Sequence, residues 1–145
     1  MARVLVVYAT RTKSTHEIAE LIAEGIRFSG NEAVVVDVKK IKSEADFKGY
    51  DGYAFGSPTY HGEMLQSMKT MLFLAEKANL EGKVGGAFGA HGWSTEAQDR
   101  IYNTMKEIFK LDMTKGPLLL KSASLGGGVQ MAHEYGKEIG TKLSA

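Results

Sequence analysis

The residues with the clearest chemical character are hydroxyl side chains clustered near the start of the sequence. Four of the six residues from 10 to 15 carry a hydroxyl group: Thr10, Thr12, Ser14 and Thr15. Ser14 and Glu17 have the spacing of a capping box, which predicts that Ser14 is the N-cap of a helix. The free amides of the first helical turn would then face this loop. Amides, helix dipole and hydroxyl groups together favour a phosphate site.

Helix capping alone is the simpler interpretation of this loop, because Ser and Thr are common at helix N-termini. Several hydroxyl residues in one short loop exceed what capping needs, so we favour the phosphate site. The loop contains neither G-x-G-x-x-G nor G-x-x-x-x-G-K, and their absence argues against a dinucleotide or a nucleoside triphosphate.

Two further segments place an aromatic residue among small and polar ones. One consists of Ser57, Pro58, Thr59, Tyr60, His61 and Gly62; the other consists of Gly89, Ala90, His91, Gly92 and Trp93. A turn at His61-Gly62 would present Tyr60 at the rim, and Trp93 is the only Trp of the chain. The two rings could clamp a flat aromatic ligand, since stacking contributes about 1–3 kcal/mol per face. Alternatively, each ring covers the core of its own loop.

Alternating strand and helix patterns position these three loops. Apolar runs predict five strands, at 4–8, 33–38, 53–55, 83–89 and 117–121. Helical spacing predicts helices at 16–28, 64–75, 95–109 and 129–142, with Thr95 and Gln98 as a capping box and Ile108 on the buried stripe of the third. Residues 39–50 are polar, with one short helical turn at most. The pattern predicts an α/β fold whose loops after strands one, three and four meet at the carboxyl edge of a parallel sheet.

Composition excludes several classes of function. The 145 residues suit one domain, and a net charge of +1 gives no support for a nucleic-acid partner. The absence of Cys excludes disulfides, Cys-ligated metals and thiol catalysis, and the four His lack ligand spacing. The longest apolar run, 4–9, is too short for a membrane span or a signal peptide, so we expect a cytoplasmic protein.

Three segments resemble the flavodoxins. They are Tyr8-x-Thr10-x-Thr12-x-x-Thr15 after strand one, Gly56-Ser57-Pro58-Thr59-Tyr60 after strand three, and the Gly-rich loop after strand four. Segments 57–65 and 88–96 are most similar to the flavodoxin domains of flavodiiron proteins. The resemblance implies one flavodoxin-like FMN-binding domain over residues 1–145, a three-layer sandwich of the short-chain type. Its five-stranded parallel sheet would have the order 2-1-3-4-5.

The resemblance also implies an electron carrier rather than an enzyme. Non-covalent FMN would pass through its quinone, semiquinone and hydroquinone states and shuttle single electrons between a reductase donor and an acceptor protein. Nothing in the sequence points to a membrane partner, and we expect a monomer.

The family's site residues are carried over by position. Thr10, Thr12 and Thr15 would bind the FMN phosphate, with backbone amides of Arg11, Lys13 and Ser14. Ser57, Pro58, Thr59, Tyr60, His61 and Gly62 would lie on one side of the ring system, and Gly89, Ala90, His91, Gly92 and Trp93 on the other. We expect the Arg11 side chain to point into water.

Two features of this chain bear on the flavin potentials. A type II turn with Gly62 at its third position would let the His61 carbonyl accept a hydrogen bond from flavin N5–H and stabilise the semiquinone. The near-zero net charge also differs from the strong acidity of classical flavodoxins. One charge about 10 Å from the ring is worth roughly 0.8 kcal/mol, or about 35 mV. We therefore expect a semiquinone–hydroquinone potential less negative than in acidic relatives.

Three other functions compete with this interpretation. A small FMN-dependent oxidoreductase, such as a quinone reductase or porphyrinogen oxidase, would need an insertion or dimer interface over the flavin, and no segment is long enough for such an insertion. A signalling receiver domain needs acidic residues after strands one and three, where this chain has Thr10-Arg11 and Ser57-Pro58. A flavin-free phosphate-binding module is the third alternative.

Overall fold

The computed structural model describes residues 1–124 and 126–144, and its centre is a parallel sheet. The strands are β1 (Arg3–Tyr8), β2 (Glu32–Asp37), β3 (Gly52–Gly56), β4 (Val84–Ala90), β5 (Asp112–Met113) and β6 (Leu118–Leu120). Their order is β2-β1-β3-β4-β5, and β6 also pairs with β4. The predicted fold class and strand order are confirmed.

Helices cover both faces of the sheet. They are α1 (Ser14–Phe28), α2 (Gln66–Lys77), α3 (Glu96–Asn103) and α4 (Gly128–Ser144). One apolar cluster joins the sheet to α2 and α3, and a second joins its other face to α1 and α4, which gives three layers. Residues 39–50 contain more helix than expected, because a 3-10 turn at Val38–Lys40 is followed by a second at Glu44–Phe47. Over the described residues, no helix is long and apolar enough to cross a membrane.

The contact between α1 and α4 fixes the helix whose N-terminus reaches the carboxyl edge of the sheet. A Cβ atom on Gly136 would lie 2.2 Å from the Ile22 carbonyl oxygen, and one on Gly25 would lie 2.2 Å from the His133 carbonyl oxygen. Only glycine permits this approach of two backbones. Helix α1 is therefore held firmly against α4 on one face of the sheet.

The predicted fifth strand, 117–121, is replaced by two shorter ones. β5 pairs with the start of β4, and β6 pairs with its end. Between them the Tyr135 hydroxyl accepts a hydrogen bond from the Ala87 amide at 3.0 Å and donates to the Gly116 carbonyl at 2.9 Å. The buried Tyr135 side chain thus occupies the place where a continuous edge strand would bond to the middle of β4.

Two helix predictions are corrected by the structure. Met64 was expected in the second helix but precedes α2, although its side chain is buried. Ile108 was expected on the buried stripe of the third helix but is 58% exposed. After α3 the chain makes a π-helical segment, Thr104–Ile108, in which the Phe109 amide donates to the Thr104 carbonyl. The wider turn shifts the register, and Phe109 occupies the buried position instead.

Candidate functional site

The loop between β1 and α1 begins the candidate site. Lys13 is the N-cap residue, in a left-handed conformation with φ 72°, and within the described residues no side chain caps the helix. The prediction that Ser14 is the N-cap is wrong, because Ser14 is the first helical residue and the Lys13 carbonyl accepts from the Glu17 amide at 2.9 Å. Since Lys13 turns the chain through its backbone, no hydroxyl group covers the first-turn amides, which stay available to an anion.

The four hydroxyl groups of this loop have different environments. Thr10 Oγ1 is buried and has no hydrogen-bond partner among the described residues. Thr15 is also buried, and its Oγ1 accepts from the Ala90 amide at 3.4 Å. Thr12 Oγ1 and Ser14 Oγ are exposed and lie 3.5 Å apart. An unpaired buried hydroxyl is costly, so Thr10 is the group that most clearly requires an external partner.

A cavity of about 250 Å³ joins the three predicted loops. Its lining comprises Arg11, Thr12, Ser14, Pro58, Thr59, Tyr60, Ala90, His91, Gly92 and Lys121. Sequence reasoning missed Lys121, although its position was informative. It directly follows β6, so it lies at the same carboxyl edge as the other loops. The cavity is therefore lined by two cationic side chains, Arg11 and Lys121.

A neighbouring cavity of about 310 Å³ is lined by both aromatic segments, at residues 59–62 and 92–94. Trp93 is fully exposed and Tyr60 is 45% exposed, so the alternative that each ring covers its own loop's core is wrong for Trp93. The Arg11 guanidinium lies 4.0 Å from the centre of the Tyr60 ring. Arg11 is exposed, and beyond the expectation that it points into water its guanidinium makes a cation–π contact with Tyr60.

The turn that carries His61 and Gly62 differs from the predicted type II turn. Tyr60 and Glu63 exchange backbone hydrogen bonds of 2.7 and 3.0 Å around it. His61 has φ 52° and Gly62 has φ 74°, and two positive values define a type I′ turn. This turn type matches the twist of the short antiparallel pair that it closes. It places His61, a non-glycine residue, in the left-handed region.

Glu63 fixes this turn to the helices below it. Its carboxylate accepts from Lys69 Nζ at 3.1 Å and from Arg100 Nη1 at 3.2 Å. The hydrogen bond from Lys69 is the largest of the causes that lower the pKa of Glu63. The negative charge beside the turn is therefore balanced by cations from α2 and α3.

Some predicted site residues lie behind the surfaces of the two cavities rather than on them. Ser57 is completely buried, and a Cβ on Gly89 would lie 2.1 Å from the Ser57 carbonyl oxygen. Neither of the two cavities is lined by Thr10, Lys13, Thr15, Ser57 or Gly89.

Gln98 is the second residue that sequence reasoning missed. It was expected to form a capping box with Thr95, but Thr95 Oγ1 instead donates to Asp99, and Gln98 is completely buried beneath the two aromatic segments. Gln98 lies between the buried residues Ala97 and Ile101 on one face of the helix, and this position could have indicated that its side chain is buried.

The two neighbouring cavities form one crevice at the carboxyl edge of the sheet. Together with the fold, this crevice defines an α/β protein with a ligand site where the strand order reverses. A family model described as flavodoxin matches residues 6–138, and the chain belongs to the flavodoxin family. The predicted resemblance is thereby confirmed.

Curated relatives and solved structures agree with this assignment. The chain is 34% identical over 90 residues to a flavodoxin of Clostridium saccharobutylicum, a match that covers 59% of this chain and 54% of that protein. It is 26% identical to the type A flavoprotein fprA of Rhodobacter capsulatus, covering 97% of this chain and 33% of that protein. The chain thus spans about half or less of the length of these relatives.

Among solved structures, a flavodoxin from the domain Archaea superposes with a TM-score of 0.92 and 27% identity, covering 99% of both chains. The flavodiiron protein of Giardia intestinalis superposes with a TM-score of 0.88 and 25% identity, covering 98% of this chain and 36% of that one. Flavodoxins are electron-transfer proteins that bind FMN, and FMN is the cofactor of this chain, as predicted.

Proposed function

We propose that this chain is an electron carrier that binds FMN without a covalent bond and shuttles single electrons between redox partner proteins. In this proposal residues 1–145 form one FMN-binding domain, and the protein is a cytoplasmic monomer without a nucleic-acid partner. The three loops at the carboxyl edge hold the cofactor between them.

The observation that carries the proposal is the unpaired hydroxyl of Thr10. Among residues 1–124 and 126–144, its Oγ1 is buried without a partner, in the loop that leads into the N-terminus of α1, which no side chain caps. A phosphate would accept hydrogen bonds from this hydroxyl and from the first-turn amides, and the helix dipole favours its negative charge. Thr12, Thr15 and the backbone of residues 11–14 would complete this cradle.

The side chains at the other end of the crevice fit a flat ring system. Tyr60 and Trp93 lie on two segments that line one cavity, and both rings are exposed enough to stack on a ligand. Gly92 leaves space for a close approach to its backbone, since a Cβ there would meet nothing within 4 Å. The residues present therefore suit both a phosphate group and a flat ring system, as FMN requires.

In this arrangement the cofactor and the protein have different roles. FMN supplies the one-electron chemistry when it is bound, and the protein supplies orientation and electrostatics. Tyr60 and Trp93 would keep water from the faces of the ring system and leave its edge open to a partner protein. Arg11 and Lys121 would offset the phosphate charge. With the near-neutral chain, this favours a second one-electron potential less negative than in acidic relatives.

The test is to purify the chain, add FMN and reduce it stepwise without oxygen. We expect a yellow complex that turns blue on partial reduction and binds FMN more tightly than riboflavin. A crevice that binds no flavin at saturating FMN would contradict the proposal. Steady-state turnover with a nicotinamide or a quinone as the sole partner would instead support a small FMN-dependent oxidoreductase.

A further inference from the structure

Gln98 lies at the centre of a buried hydrogen-bond network beneath the two aromatic segments. Its Nε2 donates to the Ser57 carbonyl at 2.8 Å and to the Ala90 carbonyl at 3.1 Å. Its Oε1 accepts from Thr59 Oγ1 at 3.0 Å, and Thr59 Oγ1 in turn accepts from the Ala97 amide at 3.1 Å. Both N–H groups of the amide are used, and a flipped amide would set its oxygen against two carbonyl oxygens.

The same network reaches the phosphate loop. The Ala90 carbonyl accepts from Gln98, and the Ala90 amide donates to Thr15 Oγ1 at the start of α1. One amide side chain thus joins the loop after β3 to the end of β4, and Ala90 extends the connection to α1. The Ser57 and Ala90 carbonyls both lie at strand ends, where sheet pairing no longer supplies them with donors.

The spacing of the two segments depends on this contact. The backbones are close enough that a Cβ on Gly89 would lie 2.1 Å from the Ser57 carbonyl oxygen and 2.6 Å from Gln98 Nε2. Without the two N–H donors, two buried carbonyl groups would face each other with no partner. Such groups recover hydrogen bonds by moving apart and admitting water.

We propose that Gln98 is a positioning residue that sets the separation of the two segments between which the flavin ring system binds. The proposal rests on the proposed function, because it assumes that the ring system lies between Tyr60 and Trp93. The Gln98 side chain touches no ligand itself. It holds the crevice at its working width before FMN arrives, so that binding does not have to reassemble the loops.

The test compares Gln98→Met with the wild-type protein. Met has a similar shape and no donor, so we expect the affinities for FMN and for riboflavin to fall by the same factor, about tenfold. We also expect a changed visible circular dichroism of the bound flavin and shifted one-electron potentials, because both depend on the loops that contact the ring.

Ile101→Val is the matched control. Ile101 is buried on the same helix, so this substitution lowers the stability of the apoprotein without removing a loop contact. The control should keep the wild-type dichroism and potentials. If Gln98→Met keeps them as well, or if both variants lose affinity in proportion to their loss of stability, the proposal is wrong.

Gln98→Glu gives a second readout. A buried carboxylate beside two carbonyl oxygens has a raised pKa, and only its protonated form can donate one of the two lost hydrogen bonds. Relative to wild type, FMN affinity should therefore rise as pH falls. The other ionisable groups of the adjoining segments and of α3, His61, His91, Glu96 and Asp99, are present in both proteins, so the difference in pH dependence reports the new carboxyl group and its coupling to them. A ratio independent of pH contradicts the proposal, whereas a wild-type chain that binds no FMN contradicts the proposed function itself.

Discussion

The two ends of the crevice are built on opposite principles. At the phosphate end, the buried Thr10 hydroxyl and the first-turn amides of α1 have no side-chain partner in the part of the chain that the structure describes. At the ring end, the buried Gln98 amide is paired with the two aromatic segments, and the Tyr60 and Glu63 backbones are paired across the turn. A ligand can therefore complete the hydrogen bonds of the phosphate end, whereas at the ring end it can add stacking contacts only.

Because of this difference, we expect the phosphate end to distinguish FMN from riboflavin and the ring end to bind both flavins alike. Unpaired donors at the phosphate end bind the charged oxygen atoms of a phosphate. Removing one donor should therefore lower the affinity for a phosphorylated flavin and leave the affinity for an unphosphorylated one unchanged. A fully paired ring end recognises shape, so removing an aromatic group should affect phosphorylated and unphosphorylated flavins equally. FMN and riboflavin therefore distinguish the two ends in a single pair of binding measurements.

Thr10→Val should produce the largest selective effect. Val keeps the shape but loses a hydrogen bond to a phosphate dianion, worth about 2–3 kcal/mol. FMN affinity should fall by that amount while riboflavin affinity is unchanged. The apoprotein should become more stable, by up to about 1 kcal/mol, because the substitution removes a buried hydroxyl without a partner. Calorimetric titration measures the loss of FMN affinity, and thermal unfolding measures the gain in apoprotein stability.

Thr15→Val is the control for that prediction. The Thr15 hydroxyl accepts from the Ala90 amide, so its loss leaves a buried amide without a partner. The apoprotein should lose about 1–2 kcal/mol. If Thr10→Val destabilised the apoprotein as much as Thr15→Val, the Thr10 hydroxyl would not be an unpaired group.

Trp93→Ala tests the ring end. Trp93 is fully exposed, so apoprotein stability should not change, whereas the loss of stacking should weaken FMN and riboflavin equally, by about 1–2 kcal/mol. Phe73→Ala removes another exposed aromatic ring, one that lines neither crevice cavity, and should leave both affinities unchanged. A loss confined to FMN would mean that Trp93 acts at the phosphate end.

Gly62→Ala tests whether turn geometry belongs to the ring end. Gly62 has φ 74°, so Ala should destabilise the apoprotein by about 1 kcal/mol. If the 61–62 peptide contacts the flavin, the one-electron potentials should also shift. Gly82→Ala is the control, because Gly82 has φ 83° in a distant turn, and it should cost similar stability without moving the potentials. Unchanged potentials in Gly62→Ala would remove this turn from the flavin contacts.

The alternation of strands and helices and the position of the loops could be predicted from periodicity, whereas the strand order was implied by the resemblance to the flavodoxins. Buried strands alternate with amphipathic helices along the whole chain, and parallel strands then bring the loops after β1, β3 and β4 to one edge. Composition identified those loops, since hydroxyl groups, glycines and a single Trp are concentrated there.

Backbone conformation and buried polar contacts could not be predicted in the same way. Lys13 and His61 adopt positive φ although neither is glycine, and residue type gives no sign of this. Gln98 has the spacing of a capping box with Thr95, whereas its buried hydrogen bonds depend on Ser57 and Thr59, which are distant in sequence. The π-helical turn after α3 likewise depends on tertiary packing, which exposes Ile108 and buries Phe109.

Lys121→Met should have the smallest effect and tests how far the phosphate end extends. Lys121 lines the same cavity as Arg11 but is exposed, so its attraction to a phosphate should contribute about 0.5 kcal/mol at low ionic strength. FMN affinity should fall about twofold, and the difference should vanish in high salt because screening removes it. Riboflavin affinity should not change. Lys115→Met removes an exposed cation that lines neither crevice cavity. An equal loss in that variant would attribute the effect to the net charge of the protein rather than to the phosphate cradle.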